Sequence, residues 1–246
     1  MEPELVCLAY SPWSEKARWA LDHHRIRYRV VPYQPLLGEL ALRARLRDVR
    51  GVVSVPVMRV AQGWVRGSLD IARWADRFGD GSPLFGDADR ARRVDELDAL
   101  AERALEAGRA FGLPRFLTEH EYLDSLAPRW IAPRLARPLV RFGVRRTLEK
   151  YRVGEHTPAE HERRLRDALT EIRGALHGRS QGTLLEGFSF ADIAVAQALQ
   201  FVEPANLGAF RMRETGRRGY RNAAIAEEFS DLIAWRDALY ADHRAL

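Results

Sequence analysis

An α/β domain followed by an all-α domain is what the sequence predicts, on three observations. Short strand-like runs alternate with helical periodicity in the first part of the chain. A Gly/Pro/Ser stretch, Asp80-Gly81-Ser82-Pro83-Leu84-Phe85-Gly86, then interrupts the pattern. Strand signals end there, and later segments show helical spacing. The expected division is residues 1–79, a linker at 80–87 and residues 88–246.

In the first part, Leu5 to Ala9 reads as a buried strand that stops at Tyr10-Ser11-Pro12. A helix follows at once, with Trp13, Ala17, Ala20 and Leu21 at three- and four-residue spacing. Pro12 suits the first helical position, where its missing N–H costs nothing. Ser11 is the expected N-cap, with Ser14 in the first turn. Both hydroxyls then stand where free backbone N–H groups and the positive end of the helix dipole converge. Such a site favours an anion, a thiolate among the candidates. His23-His24 lacks further ligands nearby and reads as a solvated helix end, so no metal is expected. Arg29 to Pro32 is a second strand. Gly38 to Val49 is a helix with a stripe of Leu40, Leu42, Leu46 and Val49, closed by Gly51.

Pro56 interrupts the apolar run Val52 to Met58. A proline inside a central strand removes a ladder bond. A cis-proline just before a strand fits better. Val57–Val60 and Trp64–Val65 read as a hairpin turning at Gln62-Gly63. Ser68 reads as the N-cap of a helix carrying Ile71, Trp74, Ala75 and Phe78.

Composition narrows the setting. A chain of 246 residues, 46% hydrophobic, buries a sizeable core. No apolar run approaches the ~20 residues of a membrane helix, and no secretory leader pattern opens the chain. The single cysteine excludes an intrachain disulfide and suits a reducing, cytoplasmic setting. The net charge of +5 is almost all arginine, since Lys16 and Lys150 are the only lysines. Acidic residues are spread along the chain as well, so neither half is a polybasic arm.

Beyond the linker, one long helix is expected from Asp87 to Gly108, with Val94, Leu97, Leu100, Ala101 and Leu105 in its core stripe and a break at Gly112-Leu113-Pro114. Pro128, Pro133 and Pro138 are expected to interrupt the next segment, where Trp130, Ile131, Leu135, Leu139 and Phe142 supply apolar surface. In the Arg-rich segment 129–146, Arg134, Arg137, Arg141 and Arg145 fall on one face. Thr157-Pro158-Ala159-Glu160 is a helix start with a capping box. It continues through Leu165, Ala168, Leu169, Ile172 and Leu176. Ser189 and Asp192 form a second box, seeding a helix with Val195, Ala198 and Leu199. Segment 211–221 reads as a basic mobile loop. A last helix is expected from Ala226 to Arg244, packing Phe229, Leu232, Ile233, Trp235 and Leu239.

The ordered set of the Ser11 turn, Val55-Pro56 and Ser68 resembles the thioredoxin-like N-terminal domain of cytosolic glutathione S-transferases, and Ser189-x-x-Asp192 resembles the hallmark box of their helical domain. The resemblance spans nearly the whole chain. It implies a thioredoxin-like domain that binds glutathione as cosubstrate, followed by a helical domain whose walls meet a small hydrophobic electrophile. By resemblance, Ser11 supports the thiolate, with Tyr10 and Ser14 as rivals. Val55, before Pro56, pairs with the cysteinyl backbone. Ser68 and its helix N-terminus take the γ-glutamyl carboxylate. Where the family has Glu or Gln this chain has Gly67, and nearby Asp70 is a candidate replacement. The resemblance also implies detoxification chemistry in the cytoplasm and a homodimer. A non-catalytic binding or assembly protein on the same fold is the alternative, with Gly67 as its support. A glutathione-dependent reductase would want cysteine at position 11, because serine cannot form a mixed disulfide. The basic segments lack the aromatic interleaving of a nucleic-acid surface.

Overall fold

A computed structural model describes residues 2–34, 37–47, 53–128, 131–177, 182–207 and 210–244. Strand β1 (Glu4–Cys7), helix α1 (Pro12–His23), β2 (Arg29–Pro32) and α2 (Leu37–Leu46) come first. Then follow β3 (Val57–Val60), β4 (Gly63–Arg66) and α3 (Ser68–Phe78). The strands form one sheet in the order β2-β1-β3-β4, with β1 parallel to β2 and antiparallel to β3. The expected α/β-then-α architecture is what the structure has.

Several local expectations change. The hairpin turns one residue earlier than expected, and Gly63 opens β4. In α2, Leu42 and Leu46 are buried but Leu40 is exposed. The stripe is therefore narrower: Leu42 and Leu46 pack with Val6 and Val57 of the sheet. Val49, Gly51 and Val52 lie outside the described residues. His24 is not solvated. The chain after α3 folds over it: the Asp80 N–H donates to the His24 carbonyl at 3.1 Å, and Asp76 lies 3.2 Å from its ring. Among the described residues no cluster of His, Cys, Asp and Glu could hold a metal ion.

The remaining elements are helical. Asp87 caps α4 (Ala88–Gly112), the long helix expected there, and Leu113 redirects the chain into α5 (Arg115–Thr118) and α6 (His120–Ser125). Next comes α7 (Pro133–Lys150), which contains Pro138 rather than breaking there. Pro133 is its first residue, and Pro138 opposes the carbonyl of Arg134 in an exposed first turn that can tilt towards water. Arg137 makes a bidentate pair with Asp124 at 2.6 and 2.7 Å, and Arg141 donates to the Leu117 carbonyl. Half of the expected basic face is thus turned inward. Trp130 lies outside the described residues.

Both expected capping boxes form, on α8 (Pro158–Leu176) and α9 (Phe190–Ala198). Asp192 is fully buried; it accepts from the N–H groups of Leu184 and Ser189 and from the Ser189 hydroxyl. Segment 211–221 is not a loop but holds α10 (Glu214–Tyr220). Its glycines are there for close packing: a Cβ on Gly219 would meet the Phe116 ring at 2.7 Å. The arginines of this segment cap neighbours, Arg217 on the Pro204 carbonyl and Arg221 on Glu203. The closing helix is two, α11 (Ala223–Glu228) and α12 (Ser230–His243), divided at buried Phe229. Arg173 bridges the break by donating to the Glu228 carbonyl and the Asp231 carboxylate.

Helix α1 lies between the sheet and the helical bundle. Its apolar residues divide accordingly. Ala17 and Leu21 pack with Leu5 and Met58 of the sheet, while Trp19 and Ala20 join the core of the helices. The polar residues are buried too. Lys16 is fully buried and pairs with Asp98 and with Glu102 (2.6 Å) of α4. Glu15 is held by Arg18 at 2.9 Å and by Arg244 at 3.0 Å.

A buried ion stripped of its partner is strongly destabilising. Lys16→Ala should therefore lower unfolding free energy by about 3–5 kcal/mol, read from urea denaturation. A loss within the surface range of about 0.5 kcal/mol would show that Lys16 does not tie α1 to α4.

Candidate active-site cleft

The turn between β1 and α1 is fixed from behind. The Leu8 N–H donates to Ser14 Oγ at 3.1 Å, and the Ser11 N–H returns to the Leu8 carbonyl at 3.1 Å. Arg18 donates to the Ala9 carbonyl at 3.2 Å. Ser11 is the N-cap, in extended conformation, and its Oγ accepts from the Ser14 N–H over a long 3.4 Å. That bond uses an oxygen lone pair and leaves the hydroxyl proton to donate elsewhere. Pro12 has no N–H to offer. The Trp13 N–H, at the next position, has no backbone acceptor among the described residues. A donating hydroxyl and one free amide thus meet at the positive end of α1.

The peptide bond Val55–Pro56 is cis, as the sequence suggests, and Pro56 precedes β3 rather than interrupting it. Val55 has no backbone hydrogen-bond partner among the described residues, so its N–H and C=O remain for a ligand. The Pro56 carbonyl accepts from the Gly67 N–H at 3.0 Å, which ties this corner to the start of α3. Here one expectation is corrected. Gly67, not Ser68, is the N-cap, with φ 84° and ψ 155°; Ser68 is the first helical residue and makes no capping bond. A side chain rarely adopts this conformation, so glycine takes the corner. The N–H groups of Ser68, Leu69 and Asp70 have no backbone acceptor among the described residues. Ser68 itself is buried.

These corners open into one cleft of 350 Å³ between the sheet and the helices. Tyr10, Ser11, Val55, Pro56, Gly67 and Ser68 line it together. Ser14 does not: it is fully buried behind the turn. Asp70 is exposed and lies outside the lining. Burial pushes the Tyr10 phenol up to about 12, so it stands as a neutral hydroxyl. Burial likewise raises the Cys7 thiol, against the opposing pull of Arg18. Cys7 is inside the sheet, not on the cleft.

The facing wall was not legible in the sequence. It includes Trp13, Arg109 of α4, Val144 of α7, Tyr151, Phe201 and Tyr220. Lys150 reaches across the mouth to the Val53 carbonyl at 2.5 Å. One signal was available for Arg109. It follows buried Leu105 by four residues, so it continues a core stripe with a charge.

Residues 10–77 match the family model described as the N-terminal domain of glutathione S-transferase. No curated protein matches the chain. Among solved structures, a glutathione S-transferase of Ceriporiopsis subvermispora in complex with glutathione is 16% identical, with a TM-score of 0.69, covering 100% of this chain and 99% of that one. One from Methylobacillus flagellatus, with glutathione bound, is 16% identical at a TM-score of 0.62, covering 100% of both chains. A glutathione S-transferase domain-containing protein of Marinobacter aquaeolei is 18% identical at a TM-score of 0.62, covering 97% of both chains. The chain has the glutathione S-transferase fold.

Because Gly67 sits where only glycine is at ease, Gly67→Ala should destabilise the protein by about 1–3 kcal/mol. No atom lies within 4 Å of the added methyl, so any loss comes from the backbone. An unchanged denaturation midpoint would contradict the strained corner.

Proposed function

We propose that this chain, built on the glutathione S-transferase fold, is a glutathione transferase. The observation that carries the reading is the shared cleft: the Ser11 turn, the cis Val55–Pro56 corner and the N-terminus of α3 face one cavity. Glutathione is the cosubstrate and supplies the reacting sulfur, so the chain needs no nucleophile of its own.

In this reading the γ-glutamyl carboxylate sits at the free amides of α3 with the Ser68 hydroxyl. The open corner at Gly67 leaves those amides uncovered, which offsets the missing Glu or Gln side chain. Asp70, exposed outside the cleft, is a weaker candidate for the same end of the ligand. Val55 pairs with the cysteinyl backbone, strand-fashion. The sulfur then reaches the Ser11 hydroxyl and the Trp13 N–H. A free thiol titrates near 8.5, and lowering it by one to two units is worth roughly 1.4–2.8 kcal/mol. A donor hydroxyl with a helix N-terminus supplies interactions of this size. The thiol proton leaves to water. The thiolate attacks the electrophilic carbon, a carbon–sulfur bond forms, and the leaving group departs with its electron pair.

Ser11 is the preferred donor because its proton is uncommitted; Tyr10 is the remaining rival on the cleft. A disulfide-exchange reductase is disfavoured, since position 11 has no sulfur and Cys7 is buried. The proposed second substrate is a small hydrophobic electrophile meeting the aromatic wall. No described helix is long and apolar enough to cross a membrane. A cytoplasmic setting and a homodimer complete the proposal, as the family resemblance implies. Residues 1–79 are proposed as the glutathione-binding domain and 88–246 as the electrophile-binding one.

Titrating glutathione into the protein near neutral pH, while following thiolate ultraviolet absorbance, tests the reading. Saturable thiolate formation is expected. Ser11→Ala should lower kcat about 100-fold with a much smaller change in glutathione affinity, whereas Ser68→Leu should weaken glutathione about tenfold, or 1.4 kcal/mol. Equal losses of turnover and affinity on removing the Ser11 hydroxyl would reject its assigned role.

A further inference from the structure

Arg109 faces the cleft without an anion. Its guanidinium carbon lies 3.5 Å from the centre of the Tyr151 ring and 4.7 Å from that of Trp13. These contacts hold the group while using none of its N–H donors, which lie in the guanidinium plane. Its Nε is buried and has no hydrogen-bond partner. Among the described residues Arg109 has no ion pair, although three carboxylates line the cleft. Glu39 is paired with Arg43 at 2.8 Å. Glu102 is already engaged by Lys16 at 2.6 Å and by the Trp13 indole N–H at 2.7 Å. Glu106, one turn before Arg109, is exposed towards solvent. Burial pulls the guanidinium below the usual arginine range. Of the other titratable neighbours, Tyr220 has its phenol pushed up by burial and stands neutral, and the Lys150 ammonium, lowered by burial, donates to the Val53 carbonyl.

Taking a guanidinium out of water is costly unless an anion meets it. Leu113, Val140, Val144 and Phe201 supply apolar surface to the same cleft. Arg146 also lines the cleft but is exposed to water, whereas the Arg109 Nε is buried without a partner. Apolar surface beside such a desolvated guanidinium fits a hydrophobic acid better than a neutral molecule.

We propose that Arg109 binds the carboxylate or sulfonate of the second substrate, so that this cleft selects anionic, hydrophobic electrophiles. The inference rests on the transferase reading above and specifies its substrate class. Glutathione carries carboxylates of its own, and these are the other source of the same chemistry.

The test compares two fluorescent probes of nearly equal shape, 8-anilinonaphthalene-1-sulfonate and its uncharged counterpart N-phenyl-1-naphthylamine. Each is titrated into wild type, Arg109→Gln and Arg109→Lys in the presence of excess S-methylglutathione, whose own affinity is measured by calorimetry. The Gln variant should bind the sulfonate at least about tenfold more weakly, the worth of one charged hydrogen bond. The neutral probe and S-methylglutathione should each change less than about twofold. The Lys variant, which keeps the charge but loses the planar fork, should fall between. Equal losses for both probes, or no loss for either, overturn the proposal. So does a loss confined to S-methylglutathione, which would assign Arg109 to a carboxylate of the tripeptide. If the Gln variant does not fold, the Lys variant decides: sulfonate affinity equal to wild type overturns the proposal, and a selective loss supports it. Failure of S-methylglutathione to bind any of the three proteins counts against the transferase reading alone, because the two-probe comparison still reports the anion subsite.

Discussion

Helix α1 is buried on both sides, and the rest of the structure is arranged to permit it. A helix wedged between a sheet and a bundle cannot send its charged residues into water, so each must be met where it stands. Lys16 is met by Asp98 and Glu102, and Glu15 by Arg18 and Arg244. Arg244 in turn reaches Asp22 at 2.8 Å. These pairs draw on α4, on α1 itself and on the residue that follows α12. They fix the helix in rotation and depth as well as in place.

That placement sets the chemistry of the cleft. The N-terminus of α1 is the part of the helix left facing open space, and Ser11 and Trp13 present their donors there. Glu102 shows how closely support and site are joined. One of its oxygens holds Lys16 and the other accepts from the Trp13 indole. The residue that ties the two halves of the molecule together therefore also holds one wall of the cleft. Gly108 adds a second constraint on that wall. A Cβ there would meet Phe201 at 2.7 Å, so α4 approaches the 199–201 turn as closely as glycine permits.

The sequence carried the turn-forming parts of this design well. Ser11 with Pro12, Thr157 with Pro158 and Glu160, and Ser189 with Asp192 each act through neighbours two or three residues away, so local spacing was enough to find them. The cis Val55–Pro56 corner was legible because proline has few places in a sheet. What spacing could not supply was burial set by distant segments. Glu15, Lys16 and Arg18 look like a solvated face until α4 and the C-terminal segment close over them. His24 looked exposed for the same reason. Gly216 and Gly219 suggest a loop, yet they serve the close packing of α10, against Ser125 and Met212 at Gly216 and against Phe116 at Gly219. The Arg109 wall is not legible because it gathers residues from α1, α4, α7 and the chain beyond α7.

The central claim is that one cleft holds glutathione with its sulfur at the N-terminus of α1. A crystal structure of the protein with glutathione bound tests this most directly. The account predicts the sulfur within about 3.5 Å of Ser11 Oγ, the cysteinyl backbone paired with Val55, and the γ-glutamyl carboxylate at the first amides of α3. A sulfur placed against Tyr10 and away from Ser11, or a tripeptide bound outside this cleft, would contradict it.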